Sequence, residues 1–233
     1  MPAKHALKEF VSDSYYHIYN RGVEKRTIFV DAQDYAVFLS YLKTYLLPKD
    51  ESALRAVLLR QGSVSKEKDN ALKLLRLNNF SYSMKFLAYC LMPNHFHFLV
   101  KQTEAETIDH FMRSFCTRYS LYFNRKYHRV GGLFQGVYKA VLVRTDEQLQ
   151  YLTRYIHRNS LDLPSEGASF SEAQRLLGYP YSSYPEYLEK RSSSWIQYKD
   201  IRKLICSTAV EYEKFVCGRQ DDEGVVAGYC LDD

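Results

Sequence analysis

The arrangement of apolar and polar residues along the chain predicts an alternation of short strands and longer helices. The predicted strands, in which aromatic and β-branched residues dominate, are 15–20, 80–91, 95–100 and 133–144. The predicted helices, in which apolar residues recur three and four positions apart, are 32–47, 107–126 and 146–159. Asp31 is the expected N-cap of the first helix.

This order of elements contains a β-α-β-β-α-β core, which is typical of a ferredoxin-like, RRM-like α+β sandwich with an antiparallel sheet. In such a fold we expect helices on one face of the sheet and a ligand on the other. Residues 1–164 are predicted to form the main domain, with a helical insertion at about 49–79. Residues 165–233 are predicted to be a C-terminal extension that packs on this domain, and 219–233 form its acidic tail.

Two histidines on the third predicted strand are the first candidates for chemistry. Because successive side chains of a strand point to opposite faces, His95 and His97 share one face and Phe96 takes the other. Neutral imidazoles are good ligands for transition metals, so the pair predicts half of a metal site. The histidines equally fit the outer face of an ordinary strand, because so short a motif also arises by chance. Asn94, just before them, is assigned to a turn.

A second group of polar residues lies on the last predicted helix. Tyr151, Tyr155 and Asn159 are four residues apart and therefore share one face, with Arg154 and Arg158 in an adjacent row. If this face packs toward the paired histidines, it brings a phenol oxygen and a carboxamide to the same place. With 21 tyrosines in the chain, simple packing is the competing interpretation of Tyr155.

Composition and charge narrow the class of protein. The net charge is +5, and the segment 101–160 holds ten Lys or Arg against five Asp or Glu. This excess fits a polyanionic partner, although a solvated basic face explains it equally well. Five widely spaced cysteines without a CxxC pair indicate reduced thiols. Since neither a signal peptide nor a membrane-length apolar run is apparent, we expect a cytoplasmic protein without a membrane partner.

Four segments together resemble the single-tyrosine HUH transposases, most closely the REP-associated tyrosine transposases. They are Tyr16-His17-Ile18-Tyr19-Asn20-Arg21-Gly22, Ala88-Tyr89-Cys90-Leu91-Met92-Pro93-Asn94-His95-Phe96-His97, Gly132-Leu133-Phe134-Gln135 and Tyr155-Ile156-His157-Arg158-Asn159. The resemblance covers about 15–161. The chain departs from the family at Asn159-Ser160-Leu161, where Asn-Pro-Val is frequent, in the long 49–79 connection and in the acidic tail.

The resemblance implies metal-dependent cleavage and rejoining of single-stranded DNA. It places the HUH element at His95-Phe96-His97, the nucleophile at Tyr155 and the third metal ligand at Asn159. Tyr155 is then expected to form a 5′-phosphotyrosine with help from Mg²⁺ or Mn²⁺. The implied substrate is hairpin DNA of the REP type, and the protein is expected to act as a monomer or a homodimer.

The DNA is expected to contact basic side chains, with aromatic rings stacking on bases. The candidate residues are Arg21, Arg26, Arg113, Arg118, Arg125, Lys139, Arg154 and Arg158. For His17, strand packing is favoured over a polar contact near the site.

Two other functions fit the same residues. A non-catalytic single-stranded nucleic-acid-binding protein would use the aromatic sheet without a metal, so the paired histidines argue against it. A histidine-based metallohydrolase of small phosphoesters would turn over without a covalent intermediate.

Overall fold

The computed structural model describes residues 9–164 and 170–218, and this part of the chain contains one four-stranded sheet. All neighbouring strands are antiparallel, and their order is β2-β3-β1-β4. The strands are β1 (Tyr15–Arg21), β2 (Met84–Met92), β3 (His95–Gln102) and β4 (Lys139–Val143). The predicted ferredoxin-like α+β class is confirmed, because this strand order is that of the β-α-β-β-α-β core.

The helices within the main domain also follow the sequence pattern. They are α1 (Ala32–Leu46), α2 (Glu51–Leu59), α3 (Ser65–Arg76), α4 (Thr107–Lys126) and α5 (Asp146–Arg158). Asp31 caps α1 as predicted, since its side chain accepts a hydrogen bond from the backbone N–H of Asp34. The predicted insertion consists of the α2–α3 pair. Short 3₁₀ turns follow β1 and α5 at Val23–Lys25 and Asn159–Asp162.

One face of the sheet packs on α1 and α4. Phe38 of α1 contacts Phe96 with ring centroids 5.6 Å apart, and Phe115 of α4 lies 6.3 Å from Phe98. Tyr16 and Ile18 of the central strand β1 are fully buried. The even-numbered side chains of β3 therefore belong to the main core, and its histidines project from the opposite face.

The opposite face, on which a ligand is expected, also carries a helix, as the expected approach of Tyr155 to the histidines requires. Helix α5 packs on it, and the C-terminal segment covers the edge strand β2. The segment pairs its backbone with this edge: Leu91 N–H donates to Tyr181 O, and Ser183 N–H donates to Tyr89 O. These bonds satisfy backbone groups that an uncovered edge strand would expose. The helices of the segment are α6 (Glu172–Gly178), α7 (Tyr184–Tyr187), α8 (Lys199–Ile205) and α9 (Ala209–Cys217). The predicted acidic tail 219–233 lies outside the described residues.

Two predicted strands are shorter than expected. The strand predicted over 133–144 begins only at Lys139, because Gly136 has a φ of +78°, which interrupts an extended backbone. Phe134 forms a single bridge to Gly22, outside the described strands. The second strand begins at Met84 instead of Phe80, whose backbone N–H donates to Tyr45 O at the end of α1.

His157 links α5 to the C-terminal segment and makes stability depend on pH. Its Nδ1 lies 2.8 Å from Tyr212 Oη, its Nε2 lies 2.8 Å from Ser183 Oγ, and the ring is fully buried. Burial lowers the pKa of His157 from 6.5 to about 3. Between these values the unfolded chain binds a proton that the folded protein does not, so acidification favours unfolding.

We therefore expect the free energy of unfolding to fall between pH 6 and pH 4.5, with His157 contributing up to about 1.4 kcal/mol per pH unit. His157→Gln, which keeps hydrogen-bonding groups, is expected to show a shallower dependence by about one proton. Urea unfolding at several pH values measures the slopes. Equal slopes for the two proteins would mean that His157 is charged in the fold.

Candidate active site

The paired histidines of β3 lie on the sheet face that α5 covers. His97 is fully buried and His95 is half-buried, and their ring centroids are 5.0 Å apart with the planes at 89°. Their position at the start of β3 follows from the tight Pro93-Asn94 turn, which connects β2 directly to β3. The expectation that both histidines share one face is correct.

His97 meets a third histidine from the neighbouring strand. His17 Nε2 lies 2.8 Å from His97 Nδ1, and the two rings stack at 15° with centroids 5.0 Å apart. Burial lowers the pKa of His17 to about 3. Burial, and then the charges of His17, His95 and Arg21, hold the pKa of His97 well below its usual value. Both rings are therefore neutral at physiological pH, which is the form that binds metals.

The loop after β1 holds the turn that precedes the histidines. Gly22 N–H donates to Asn94 O, and Asn94 Nδ2 donates to Lys25 O. A Cβ at Gly22 would lie 2.2 Å from Arg26 O, so this position requires glycine. Asn94 Oδ1 lies 2.6 Å from His95 Nδ1. Asn94 thus occupies the predicted turn and also orients His95.

Helix α5 presents Tyr155 to the histidines. The helix begins at the N-cap Thr145 and buries Leu149, Leu152 and Ile156, which fixes its rotation over the sheet. The Tyr155 ring, half-buried, stands edge-on at 5.4 Å from the His97 ring and at 6.0 Å from the His17 ring. The predicted docking of Tyr155 near the paired histidines is therefore observed within a single chain.

Asn159 lies at the C-terminal end of α5, one turn beyond Tyr155. It is 7% exposed, and its Nδ2 donates to Tyr155 O at 2.8 Å. The amide nitrogen, which cannot bind a cation, is thus turned to the backbone.

Within the described part of the chain, no three His, Cys, Asp or Glu side chains form a group that could hold a metal ion. A complete ligand set would therefore need a residue of another type, such as Asn159.

The residues present fit a divalent metal at one atom in particular. His97 Nε2 is buried and has no hydrogen-bond partner among residues 9–164 and 170–218. A buried polar atom without a partner is unusual in a folded protein, and a neutral imidazole nitrogen on the ring that meets Tyr155 suits a metal ligand.

Three of the predicted DNA-binding residues lie near the histidine face. Arg21 pairs with His95 across β1 and β3, and Lys139 is exposed with its Nζ 5.8 Å from the Tyr19 ring centroid. Arg26 belongs to the loop after β1 and forms an ion pair with Glu24 at 3.3 Å.

Three others lie on α4, on the far side of the sheet. Arg113 forms an ion pair with Asp109 at 2.8 Å, and the Arg118 guanidinium lies 3.8 Å from the Tyr41 ring centroid. Arg125 is exposed near the end of the helix. A DNA strand bound only at the histidine face would not reach these side chains.

The last two arginines contact the C-terminal segment, so the structure gives them a role that the sequence did not reveal. Arg154 is 4% exposed and donates to the backbone carbonyls of Val216 and Gly218. Arg158 donates to Val216 O and pairs with Glu172 at 2.9 Å. Both side chains neutralise the carbonyl end of α9, where cations are favourable.

His17 makes a polar contact that the sequence pattern did not indicate. Strand packing was the favoured interpretation of this residue, but its Nε2 lies 2.8 Å from His97 Nδ1 in the site. The alternation of β1 already places His17 and Tyr19 on one face. The missing information was the pairing of β1 with β3.

A family model described as "Transposase IS200 like" matches residues 59–159. This segment is similar to IS200-like transposases, and it makes up less than half of the 233-residue chain. The match includes His95, His97, Tyr155 and Asn159, while β1 and the C-terminal segment lie outside it.

Two solved structures are similar to this chain. A REP-associated tyrosine transposase bound to a REP hairpin aligns with a TM-score of 0.47 and 10% identity, over 83% of this chain and 97% of that one. A putative transposase from Deinococcus radiodurans aligns with a TM-score of 0.27 and 16% identity, over 65% and 95%. No curated protein matches the sequence. No helix in the described residues is long and apolar enough to cross a membrane.

Proposed function

We propose that the protein is a metal-dependent endonuclease and strand transferase for single-stranded DNA that carries hairpins of the REP type. The observation that carries this proposal is the edge-on contact of Tyr155 with His97, at 5.4 Å between ring centroids. It brings a phenol next to the paired histidines within the segment that the IS200-like transposase model matches. Neither simple packing of one tyrosine among many nor a pure DNA-binding sheet requires this combination.

Tyr155 is the proposed nucleophile. Its Oη attacks the scissile phosphorus and forms a Tyr–O–P bond, while the bond from phosphorus to the 3′ oxygen breaks. The phenol loses its proton, and the departing 3′ oxygen takes one up to become a free 3′-OH. Because one phosphate ester replaces another, the reverse attack by a 3′-OH can rejoin strands without ATP.

The proposed metal ligands are His95, His97 and Asn159, and the proposed ion is Mg²⁺ or Mn²⁺. Such an ion supplies Lewis acidity at the scissile phosphate. His97 contributes a neutral, buried nitrogen, and Asn94 holds His95 through a 2.6 Å contact. Arg21, whose charge lowers the pKa of His97, is the proposed partner of the phosphate oxygens.

A monomer suffices for this chemistry, because the tyrosine and the histidines of one chain meet each other. The DNA-contacting surface is proposed to comprise Arg21, Arg26 and Lys139 beside the site. Arg113, Arg118 and Arg125 are proposed to contact only a strand that continues around the sheet. Arg154 and Arg158 are assigned to the C-terminal segment instead.

The test uses pooled hairpin oligonucleotides and Mn²⁺, with products resolved on a denaturing gel. A 5′-phosphotyrosine keeps the downstream strand on the protein, so a 3′-end label is expected to shift with the protein and a 5′-end label to be released. Binding without any covalent species, undiminished by EDTA, would contradict the proposal and favour a non-catalytic single-strand binder. Turnover of small phosphoesters without an adduct would favour a metallohydrolase.

A further inference from the structure

The two ring nitrogens of His97 have different surroundings. Nδ1 lies 2.8 Å from His17 Nε2, whereas Nε2 is buried without a hydrogen-bond partner among the described residues. Both rings are fully buried, so water does not substitute freely for either contact. The contact between the histidines must therefore fix which nitrogen of His97 carries its proton.

Only two arrangements are available to a pair of neutral imidazoles in this contact, since one ring must donate and the other accept. If His17 donates, the proton of His97 sits on Nε2, where it has no acceptor in the described part of the chain. If His97 donates from Nδ1, its Nε2 carries a lone pair. Burial does not choose between the two arrangements, because in each of them one buried ring nitrogen, His97 Nε2 or His17 Nδ1, holds a proton with no hydrogen-bond acceptor at that atom among the described residues. Only the second arrangement leaves on His97 Nε2 the lone pair that a cation needs.

We propose that His17 is a positioning residue, which accepts the Nδ1 proton of His97 and thereby directs the Nε2 lone pair toward the metal position beside Tyr155. The metal part of this inference rests on the proposed function. A hydrogen-bonded neighbour that fixes ring orientation and tautomer is a general requirement of histidine ligands and changes metal affinity by about 10- to 100-fold.

The geometry distinguishes this role from two others. His17 is not a third ligand as placed, because its ring stacks on His97 at 15° and no three-histidine group in the described residues can hold an ion. Aromatic packing alone does not explain His17 either, because packing does not require its Nε2 to lie 2.8 Å from His97 Nδ1. In the β1–β3 register, Tyr19 lies directly opposite His97, and His17 lies opposite Leu99. His17 and His97 are therefore diagonal neighbours on the same face of the sheet.

The experiment compares His17→Phe, which keeps a ring but has no acceptor, with His17→Gln, whose side-chain oxygen can reach the place of Nε2. Mn²⁺ binding to the full chain, measured by calorimetry, is expected to weaken about tenfold or more in His17→Phe and to recover largely in His17→Gln. His110→Phe, at an exposed position on α4, is the matched control and is expected to bind as the unchanged protein does. Equal affinity of His17→Phe and the unchanged protein overturns the proposal.

A second measurement does not depend on metal or DNA. In the metal-free, ¹⁵N-labelled protein, imidazole NMR is expected to show the proton of His97 on Nδ1, and in His17→Phe its redistribution toward Nε2. A proton on Nε2 in the unchanged protein overturns the role of His17 even if both variants fold poorly. If the unchanged protein binds no Mn²⁺, the proposed metal-dependent function fails, while the NMR result still judges His17 by itself.

Discussion

Tyr155→Phe is expected to abolish the covalent protein–DNA adduct, lowering its formation at least about a thousandfold, to the background of the assay. The substitution removes only the attacking oxygen and leaves the ring that packs 5.4 Å from His97. Because the side chain is half-buried and its ring is retained, the free energy of unfolding should change by less than about 1 kcal/mol. Adduct formation is followed on denaturing gels with 3′-labelled hairpin strands, and stability by urea unfolding.

Tyr151→Phe is the matched control for this prediction. Tyr151 lies one turn earlier on α5, and its ring stacks on that of Tyr155 with centroids 6.4 Å apart. It has the same chemistry, and its side chain is likewise half-buried. This variant is expected to retain most of the activity. If instead Tyr155→Phe still forms the adduct and Tyr151→Phe does not, Tyr151 is the nucleophile.

Replacing both histidines of β3 by alanine is expected to reduce Mn²⁺ affinity at least about a hundredfold, since two of the three proposed ligands are lost. His95→Ala alone is the cleaner variant, because His95 is half-buried, whereas truncation of the fully buried His97 also leaves a cavity. Calorimetry with Mn²⁺ measures the affinity, and thermal unfolding shows whether each variant folds.

His110→Ala is the control for the histidine variants, because its side chain is 60% exposed on α4 across the sheet from the site. Unchanged Mn²⁺ binding in His95→Ala and in the double variant would contradict the proposed metal site. Loss of binding in His110→Ala as well would point to non-specific coordination at surface histidines.

Much of the fold was predictable because local periodicity is strong. The 107–126 helix was predicted to the residue, and the 49–79 insertion proved helical, as its polar and apolar spacing indicated. The strand predicted over 133–144 was wrong in its first half. Alternation of side chains continues through Val137, but the positive φ of Gly136 breaks the extended backbone.

The arginines of α5 show where a sequence pattern stops being informative. Arg154 and Arg158 form a basic row beside Tyr155, and that row could face solvent, DNA or protein. In the structure the row faces protein, because both arginines donate hydrogen bonds to backbone carbonyls more than fifty residues later. The acceptors are Val216 O and Gly218 O. Helical periodicity says which residues share a face, but it does not say what that face meets.

The sequence by itself determined that His95 and His97 share one strand face and that Tyr155 and Asn159 share one helix face, because a side chain's direction within an element follows from backbone geometry. Only the tertiary structure decided that the two faces meet, and that His17 joins them through a 2.8 Å contact with His97. Those contacts depend on the pairing of β1 with β3 and on how α5 docks over the sheet. Long-range packing sets both, and no short stretch of sequence encodes it.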